Sequence, residues 1–219
     1  MKRKIAKLTA AMAAVSLLVG VSAVRADDNA KDQPSQAGAQ IGEAAGAQIT
    51  QTAQDPQAFI KEAYQDNLTE IQLGQLAQQK GQGQEVKDFG QHLVQGHQAL
   101  NQSLKQLADK KSIQPSDQLD AKHQRMVDEC ASLTGADFDK KFVGQQIKAH
   151  KKDISLYQQA AAKNSDEDVK TYAQSNIAAL RQHLQMAQQQ SGAIGEPAGA
   201  GQQKNQQKDQ PQQPQPDIK

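Results

Sequence analysis

Apolar residues recur at the spacing of an α-helix through most of the chain, and they fall into four long stretches. The clearest stretch runs from Phe138 to Ala162, where the apolar side chains fill one broad arc at about 100° per residue. No segment shows the two-residue alternation of a half-buried strand. The pattern therefore predicts an all-α protein, and its other three long helices are expected over about 56–80, 84–110 and 166–190.

The connections between these stretches indicate how the helices are arranged. The Gly-Gln-Gly segment at 81–83 is so short that the helices on either side of it must lie antiparallel. The connection over 111–134 is much longer, and 119–133 can form a short helix of its own. A connection of that length can carry the chain from one end of a bundle to the other. We therefore predict a four-helix bundle over 55–190 with a crossover that contains a short extra helix; an up-down-up-down bundle also fits the loop lengths.

The beginning of the chain has the organisation of a secretory signal peptide. Residues 1–26 combine a basic start, an apolar run from Leu8 to Val24 and an acceptable cleavage site before Asp27. The apolar run is near the lower length limit of a spanning helix and leads directly into polar sequence, which favours cleavage over a membrane anchor. We expect a mature protein that is soluble, periplasmic or secreted, and without a transmembrane segment.

Two further segments lack a sustained apolar period. Residues 27–54 are rich in Gln, Ala, Gly and Asp, and the composition predicts a flexible linker. Residues 191–219 are rich in Gln, Pro and Gly, and we expect a disordered tail. Either segment could contact a partner in the cell envelope.

Composition and charge exclude some classes of function. The chain has 219 residues, of which 37% are hydrophobic and 3% aromatic, so one domain of helices packed through Ala and Leu is expected. The net charge of +1 becomes −4 when residues 1–26, with five basic and no acidic residues, are removed. A nucleic-acid-binding protein would need a basic face, which this balance does not offer.

The sequence contains no motif of a known reaction. Nucleophile motifs, phosphate-binding loops and dinucleotide fingerprints are missing, so an enzyme is not indicated. Cys130 is the single cysteine, which rules out an internal disulfide. We interpret it as a small buried residue in preference to a reactive thiol.

Five residues that could bind a metal lie on the core-facing arcs of the four long helices. The number of residues between each position and the end of its helix gives its height along the bundle axis. These heights predict that Glu70 meets His97 across the first hairpin, and that His150 and Asp153 form a second pair. The remaining residue, His183, is expected roughly 6 Å beyond His150 along the bundle axis. Imidazoles and carboxylates at mid-bundle can bind a transition-metal ion. The alternative is a network of buried side chains that hydrogen-bond one another, and the sequence leaves both open.

Six short motifs lie along the helical stretches: FIKEA at 59–63, EIQLG at 70–74, VKDF at 86–89, LDAKH at 119–123, FDK at 138–140 and HKKD at 150–153. Together they resemble a family of exported bacterial proteins, the domain of unknown function 4142, often called "predicted outer membrane protein" and placed in the ferritin-like superfamily. The resemblance covers about residues 56–189 and implies a ferritin-like four-helix bundle, without supplying an activity. The family often has Asp before the histidines that match His97 and His150, whereas this chain has Gly96 and Ala149.

Two hypotheses about function follow from these observations. The first is a non-catalytic periplasmic protein, associated with the envelope or with stress, that works through its surface and its terminal segments. The second is a metal-binding or redox protein that uses the buried histidines and carboxylates.

Overall fold

The computed structural model describes residues 36–194, with side chains from Glu43 onward, and every regular element in that range is a helix. The four long helices and the short fifth one are confirmed, with ends that differ from the predicted ones by a few residues. The predicted signal peptide and the tail beyond Ile194 lie outside the described residues. The helices are α1 (Gln36–Gln54), α2 (Pro56–Lys80), α3 (Gln84–Lys110), α4 (Ala121–Ala131), α5 (Gly135–Lys163) and α6 (Glu167–Ile194).

Local signals determine where α2 and α6 begin. The Asp55 carboxylate accepts a hydrogen bond from the backbone N–H of Ala58 at 2.6 Å, and Pro56 occupies the first position of α2. At the start of α6, one oxygen of Asp166 accepts from the backbone N–H groups of Asp168 and Val169. These carboxylates satisfy N–H groups that have no partner within the helix.

The long helices form two antiparallel hairpins, α2 with α3 and α5 with α6. At one end of the bundle, Lys110 of α3 forms an ion pair with Asp168 of α6 at 2.8 Å. At the other end, the backbone N–H of Gln82 donates to Asp139 of α5 at 3.2 Å. The chain therefore passes from the first end to the second between α3 and α5, which confirms the ferritin-like arrangement with a crossover and excludes the up-down-up-down alternative.

The crossover lies against α2. Its short helix α4 packs on α2 and α5. The Asp120 carboxylate begins α4 by accepting from the N–H groups of Lys122 and His123. Cys130, at the end of α4, is fully buried, and its thiol lies 2.7 Å from the side-chain oxygen of Gln145. Burial raises the pKa of this thiol to about 11, which keeps it protonated and inert near neutral pH.

The core consists of two apolar clusters separated along the bundle axis. One cluster is centred on Phe59, Leu104 and Tyr157, and the other on Leu73, Phe89 and Phe142. Each long helix contributes to both clusters, and between them it carries polar residues. This polar layer is almost completely buried and consists of Asn67, Glu70, His97, Gln146, His150, Asp153 and His183.

The predicted linker was wrong over Gln36–Gln54, which is a helix. The C-terminal half of α1 packs mainly on α5, and Ala53 is fully buried in the first apolar cluster. The side chain of Asn164 donates to the backbone oxygen of Ala53 at 2.7 Å, and Ser165 N–H donates to that of Gln54 at 3.2 Å. Small side chains and a single buried face gave α1 too weak an apolar period to be recognised.

No helix in residues 36–194 is sufficiently long and apolar to cross a membrane.

Candidate metal centre

Three histidines from three helices converge in the polar layer. His97 of α3, His150 of α5 and His183 of α6 are at most 3% exposed. They each occupy a position on the core-facing stripe of a helix, between the residues that enter the two apolar clusters. The ring centroids are 5.5 Å apart for His97 and His150, 4.9 Å for His97 and His183, and 5.3 Å for His150 and His183. We call these residues the histidine trio.

The distances within the histidine trio fit one metal ion. One nitrogen from each ring can be chosen so that all three lie within 4.8 Å of one another. The Nε2 atoms of His97 and His150 are 3.4 Å apart. Two nitrogens that bind one Zn²⁺ at 2.0–2.1 Å with a tetrahedral angle are separated by about 3.3 Å. This pair therefore already has the separation of two metal ligands.

Hydrogen bonds at the far side of two rings direct their lone pairs toward each other. His150 Nδ1 donates to the backbone oxygen of Gln146 at 2.9 Å, so its Nε2 carries a lone pair. His97 Nδ1 is 2.9 Å from Oδ1 of Asn67, and a ring that donates to this oxygen also has a lone pair on Nε2. Such outer hydrogen bonds are typical of histidines that bind metals, because they fix the tautomer and the ring orientation.

The histidine trio is uncharged near neutral pH. Burial lowers the pKa of His97 well below its usual range, and the neighbouring His150 and His183 add to this effect. Burial also lowers the pKa of His150 to about 4 and that of His183 to about 3. Because a metal ion binds the neutral imidazole, no proton has to be displaced from these rings at pH 7.

Gly96 allows the third ring to come close. A Cβ atom at position 96 would lie 2.7 Å from both Cε1 and Nε2 of His183, which is closer than real Cβ contacts. The absence of a side chain on α3 therefore creates the space that His183 occupies. His183 Nδ1 is buried and has no hydrogen-bond partner among the described residues.

The two predicted carboxylates, Glu70 and Asp153, lie in the same layer but outside the histidine trio. Glu70 was expected to pair with His97, whose ring instead bonds Asn67, one turn earlier on α2. Asp153 was expected to pair with His150, which bonds a carbonyl of its own helix. One oxygen of each carboxyl group is buried and has no hydrogen-bond partner within residues 36–194. Burial raises the pKa of Glu70 to about 8 and that of Asp153 well above its usual range, so both favour the neutral acid.

A second group of charged side chains connects α2, α4 and α5 beside this layer. The Lys152 ammonium lies 2.8 Å from Glu62 and 2.9 Å from Asp66, and His123 Nε2 lies 3.1 Å from Asp66. Although burial favours the neutral acid, the charge of Lys152 and the bond from His123 lower the pKa of Asp66 to about 2. The carboxylates here are already neutralised by an ammonium group, so we interpret this group as an ion-pair network.

Sequence reasoning did not find the residues that support the histidine trio. Asn67 is a buried amide on the core-facing stripe of α2, and Gln146, on that of α5, supports His150 through its backbone oxygen. Their spacing from Glu70 and His150, one turn in each case, was a signal that could have identified them.

Comparison with known proteins gives a family and a fold. The sequence model described as "Domain of unknown function (DUF4142)" matches residues 42–190. Among solved structures, the chain is similar to the "DUF305 fragment from Deinococcus radiodurans", with 14% identity and a TM-score of 0.54. The similarity covers 64% of this chain and 96% of that one, and it shows the helical fold alone. No curated protein matches the chain.

Proposed function

The chain belongs to the domain of unknown function 4142 family, and from this premise we propose that it is an exported protein that binds one transition-metal ion through His97, His150 and His183. The observation that carries this proposal is the 3.4 Å separation of two buried Nε2 atoms, whose lone pairs face each other when both Nδ1 atoms donate their hydrogen bonds. Two such lone pairs repel unless a cation or a proton lies between them.

The donor set favours a particular class of metal ion. Three neutral imidazoles suit Zn²⁺ and copper, whereas Mg²⁺ and Ca²⁺ prefer oxygen ligands. A pair of iron ions bridged by carboxylates would need acidic side chains among the ligands, and Gly96 and Ala149 stand where the family often has Asp. We therefore propose a single ion with three imidazole ligands, which leaves a fourth position for a small molecule.

A network of hydrogen bonds without metal is the competing interpretation. If the Asn67 amide is turned, its NH₂ group donates to His97 Nδ1, and His97 Nε2–H can then donate to His150. This arrangement satisfies His97 and His150, but it gives His183 Nδ1 no partner in the part of the chain that the structure describes. An unpartnered buried nitrogen costs roughly 1–3 kcal/mol, which favours the metal.

Export is the second part of the proposal. The basic start and apolar run of residues 1–26 support delivery across a membrane, with a mature chain that begins at Asp27. The protein needed for the metal test can therefore be isolated from the periplasmic fraction without an affinity tag. Its N-terminal residue then reports on cleavage in the same preparation.

The test compares metal binding by the wild type with that of three ligand variants. Zn²⁺ or Co²⁺ is added to metal-free protein, and the bound metal and the Co²⁺ absorption spectrum are measured. We expect one equivalent bound by the wild type, and affinity reduced by at least about 100-fold in His97→Ala, His150→Ala and His183→Ala. His123→Ala serves as the control, because His123 is a buried histidine outside the trio.

Thermal unfolding separates the two interpretations. A ligand that binds only the folded state must raise its stability, by about 2.7 kcal/mol when the free metal is 100 times the dissociation constant. A wild type that neither retains nor takes up Zn²⁺, Cu²⁺ or Co²⁺ and melts at an unchanged temperature would contradict the metal proposal. It would support a buried network in a non-catalytic envelope protein.

A further inference from the structure

His92 is a fourth histidine that touches the histidine trio from the solvent side. It is partly exposed, and its ring packs edge-on against that of His183, with centroids 5.4 Å apart and planes at 87°. It lies on α3 one turn before Gly96, the position at which the His183 ring approaches the helix backbone. The imidazoles therefore extend in an unbroken series from the surface, through His183, to His97 and His150.

An ion that reaches the histidine trio must lose its water shell on the way. The layer that holds the trio lies between two apolar clusters, and transfer of a hydrated ion into such surroundings is unfavourable. Replacement of water molecules one at a time by imidazoles reduces this barrier. His92 and His183 together offer two nitrogen ligands where the first replacements would occur.

We propose that His92 is the uptake residue of the metal centre, which binds the ion at the surface with His183 and passes it inward. This inference rests on the proposed metal site. In the transfer, the bond between the metal and His92 breaks as bonds to His97 and His150 form. The ion keeps its oxidation state, and the receiving rings are neutral, so neither an electron nor a proton is exchanged with them.

A residue on the path that is not a final ligand has a recognisable kinetic effect. It lowers the barrier between free and bound metal without changing the energy of either state. Its removal must slow uptake and release by the same factor, and the dissociation constant must stay the same. A ligand of the final site would instead change the dissociation constant and the spectrum of the bound metal.

The experiment measures both rates with Co²⁺ as the probe. Metal-free protein is mixed rapidly with Co²⁺ to follow uptake by absorbance, and loaded protein is mixed with excess chelator to follow release. The variants are His92→Phe, which keeps a ring against His183 without its nitrogens, and His92→Ala. We expect uptake and release in both to be slower by about tenfold or more, with dissociation constants within about twofold of wild type. Gln95→Ala, an exposed change on the same helix, should leave both rates unchanged.

Each other result overturns the inference in a distinct way. Unchanged rates in both His92 variants would show that the ion takes another route. Faster uptake in His92→Ala together with wild-type rates in His92→Phe would mean that the ring only obstructs the path. A weaker dissociation constant with an altered Co²⁺ spectrum would make His92 a ligand of the final site. A wild type that takes up no Co²⁺ would overturn the proposed function as well, and that failure is visible without any variant.

Discussion

At the scale of single residues, Gly96 determines how closely the His183 ring approaches α3. Glycine inside a helix costs about 1 kcal/mol relative to alanine, so its presence at mid-helix requires compensation. At position 96 the missing side chain leaves room for the His183 ring, because two atoms of that ring lie only 2.7 Å from the point where a Cβ would be. The ring would have to rotate or shift if that atom were present, and its nitrogens would then leave the arrangement described above.

We predict that Gly96→Ala weakens metal binding without removing a ligand. The displaced His183 ring should reduce the affinity for Zn²⁺ by about 10-fold or more. The stability of the metal-free protein should change by less than about 1 kcal/mol, because the gain in helix propensity offsets the displacement. Equilibrium dialysis and urea unfolding measure the two quantities.

Gly144→Ala is the matched control for this change. Gly144 also lies inside a helix, but a Cβ there would meet nothing within 4 Å. The substitution should raise stability by about 0.5–1 kcal/mol and leave metal binding unaltered. Wild-type affinity in Gly96→Ala would show that the position of His183 is not critical for the metal.

The sequence identified all three histidines of the trio, but it did not predict how they meet. A count of residues from the helix ends places His183 roughly 6 Å beyond His150. The count ignores the offset between α5 and α6 and the reach of a side chain along its helix. Asn67 is found beside His97 where Glu70 was expected. Which of these residues faces His97 depends on the rotation of α2 about its own axis, and the apolar period of the sequence does not determine that rotation to within one residue.

At the scale of secondary structure, α1 is held by its C-terminal end. The last two residues of the helix accept hydrogen bonds at their carbonyl oxygens from the loop between α5 and α6. Asn164 is 2% exposed and uses both ends of its amide, since Asp166 N–H also donates to its oxygen at 3.0 Å. One side chain thus connects the end of α1 to the beginning of α6.

We predict that Asn164→Ala loosens α1 and destabilises the bundle. The change leaves the carbonyl of Ala53 without its partner in a buried position, which should cost about 1–3 kcal/mol. Urea unfolding measures this loss, and limited proteolysis should show faster cleavage within α1. Gln159→Ala is the control: Gln159 accepts a bond from the partly exposed Thr50 and donates to Ser155 on its own helix, and the loss of these partly buried bonds should cost less than about 0.5 kcal/mol. Equal losses in the two variants would contradict this account.

The four long helices are the part of the fold that the sequence predicts well. The helices α2, α3, α5 and α6 each present a broad apolar arc over 25 residues or more, which makes their existence predictable. The direction of the crossover was not predictable from loop length alone. Contacts such as that between Gln82 and Asp139 determine it, and these join residues far apart in the sequence.

At the scale of the whole molecule, the buried ionisable groups reduce the stability of the folded state both at low pH and at high pH. Below pH 6.5 the unfolded chain protonates the three histidines, whereas the folded chain keeps them neutral, so stability falls as the pH falls. Above about pH 4.5 the unfolded chain ionises Glu70 and Asp153, whereas the folded chain keeps their protons. Those two acids therefore remove stability as the pH rises, and for Glu70 this continues to about pH 8.

We predict that the metal-free protein is most stable near pH 6.5. Between about pH 4.5 and 6.5, three histidines outweigh two acids, so stability should rise with pH by about 1 kcal/mol per unit. Above pH 6.5 the histidine trio no longer contributes, and the two acids make stability fall, by about 1 kcal/mol per unit for each of them. His123 adds to this fall because, although burial opposes it, the contact with Asp66 raises its pKa. Urea unfolding between pH 5 and 9 in the presence of a chelator measures the whole curve.

Glu70→Gln tests which group causes the loss of stability above pH 6.5. The amide has nearly the same shape as the neutral acid and cannot ionise, so the fall between pH 6.5 and 8 should become shallower by about 1 kcal/mol per unit. Between about pH 4.5 and 6.5, stability should still rise with pH because of the histidines, and the rise should be steeper because one opposing acid has been removed. Glu43→Gln, an exposed change on α1, should leave the curve as it is. If Glu70→Gln follows the wild-type curve above pH 6.5, Glu70 is ionised in the folded protein, and the polar layer already holds a negative charge beside the histidine trio.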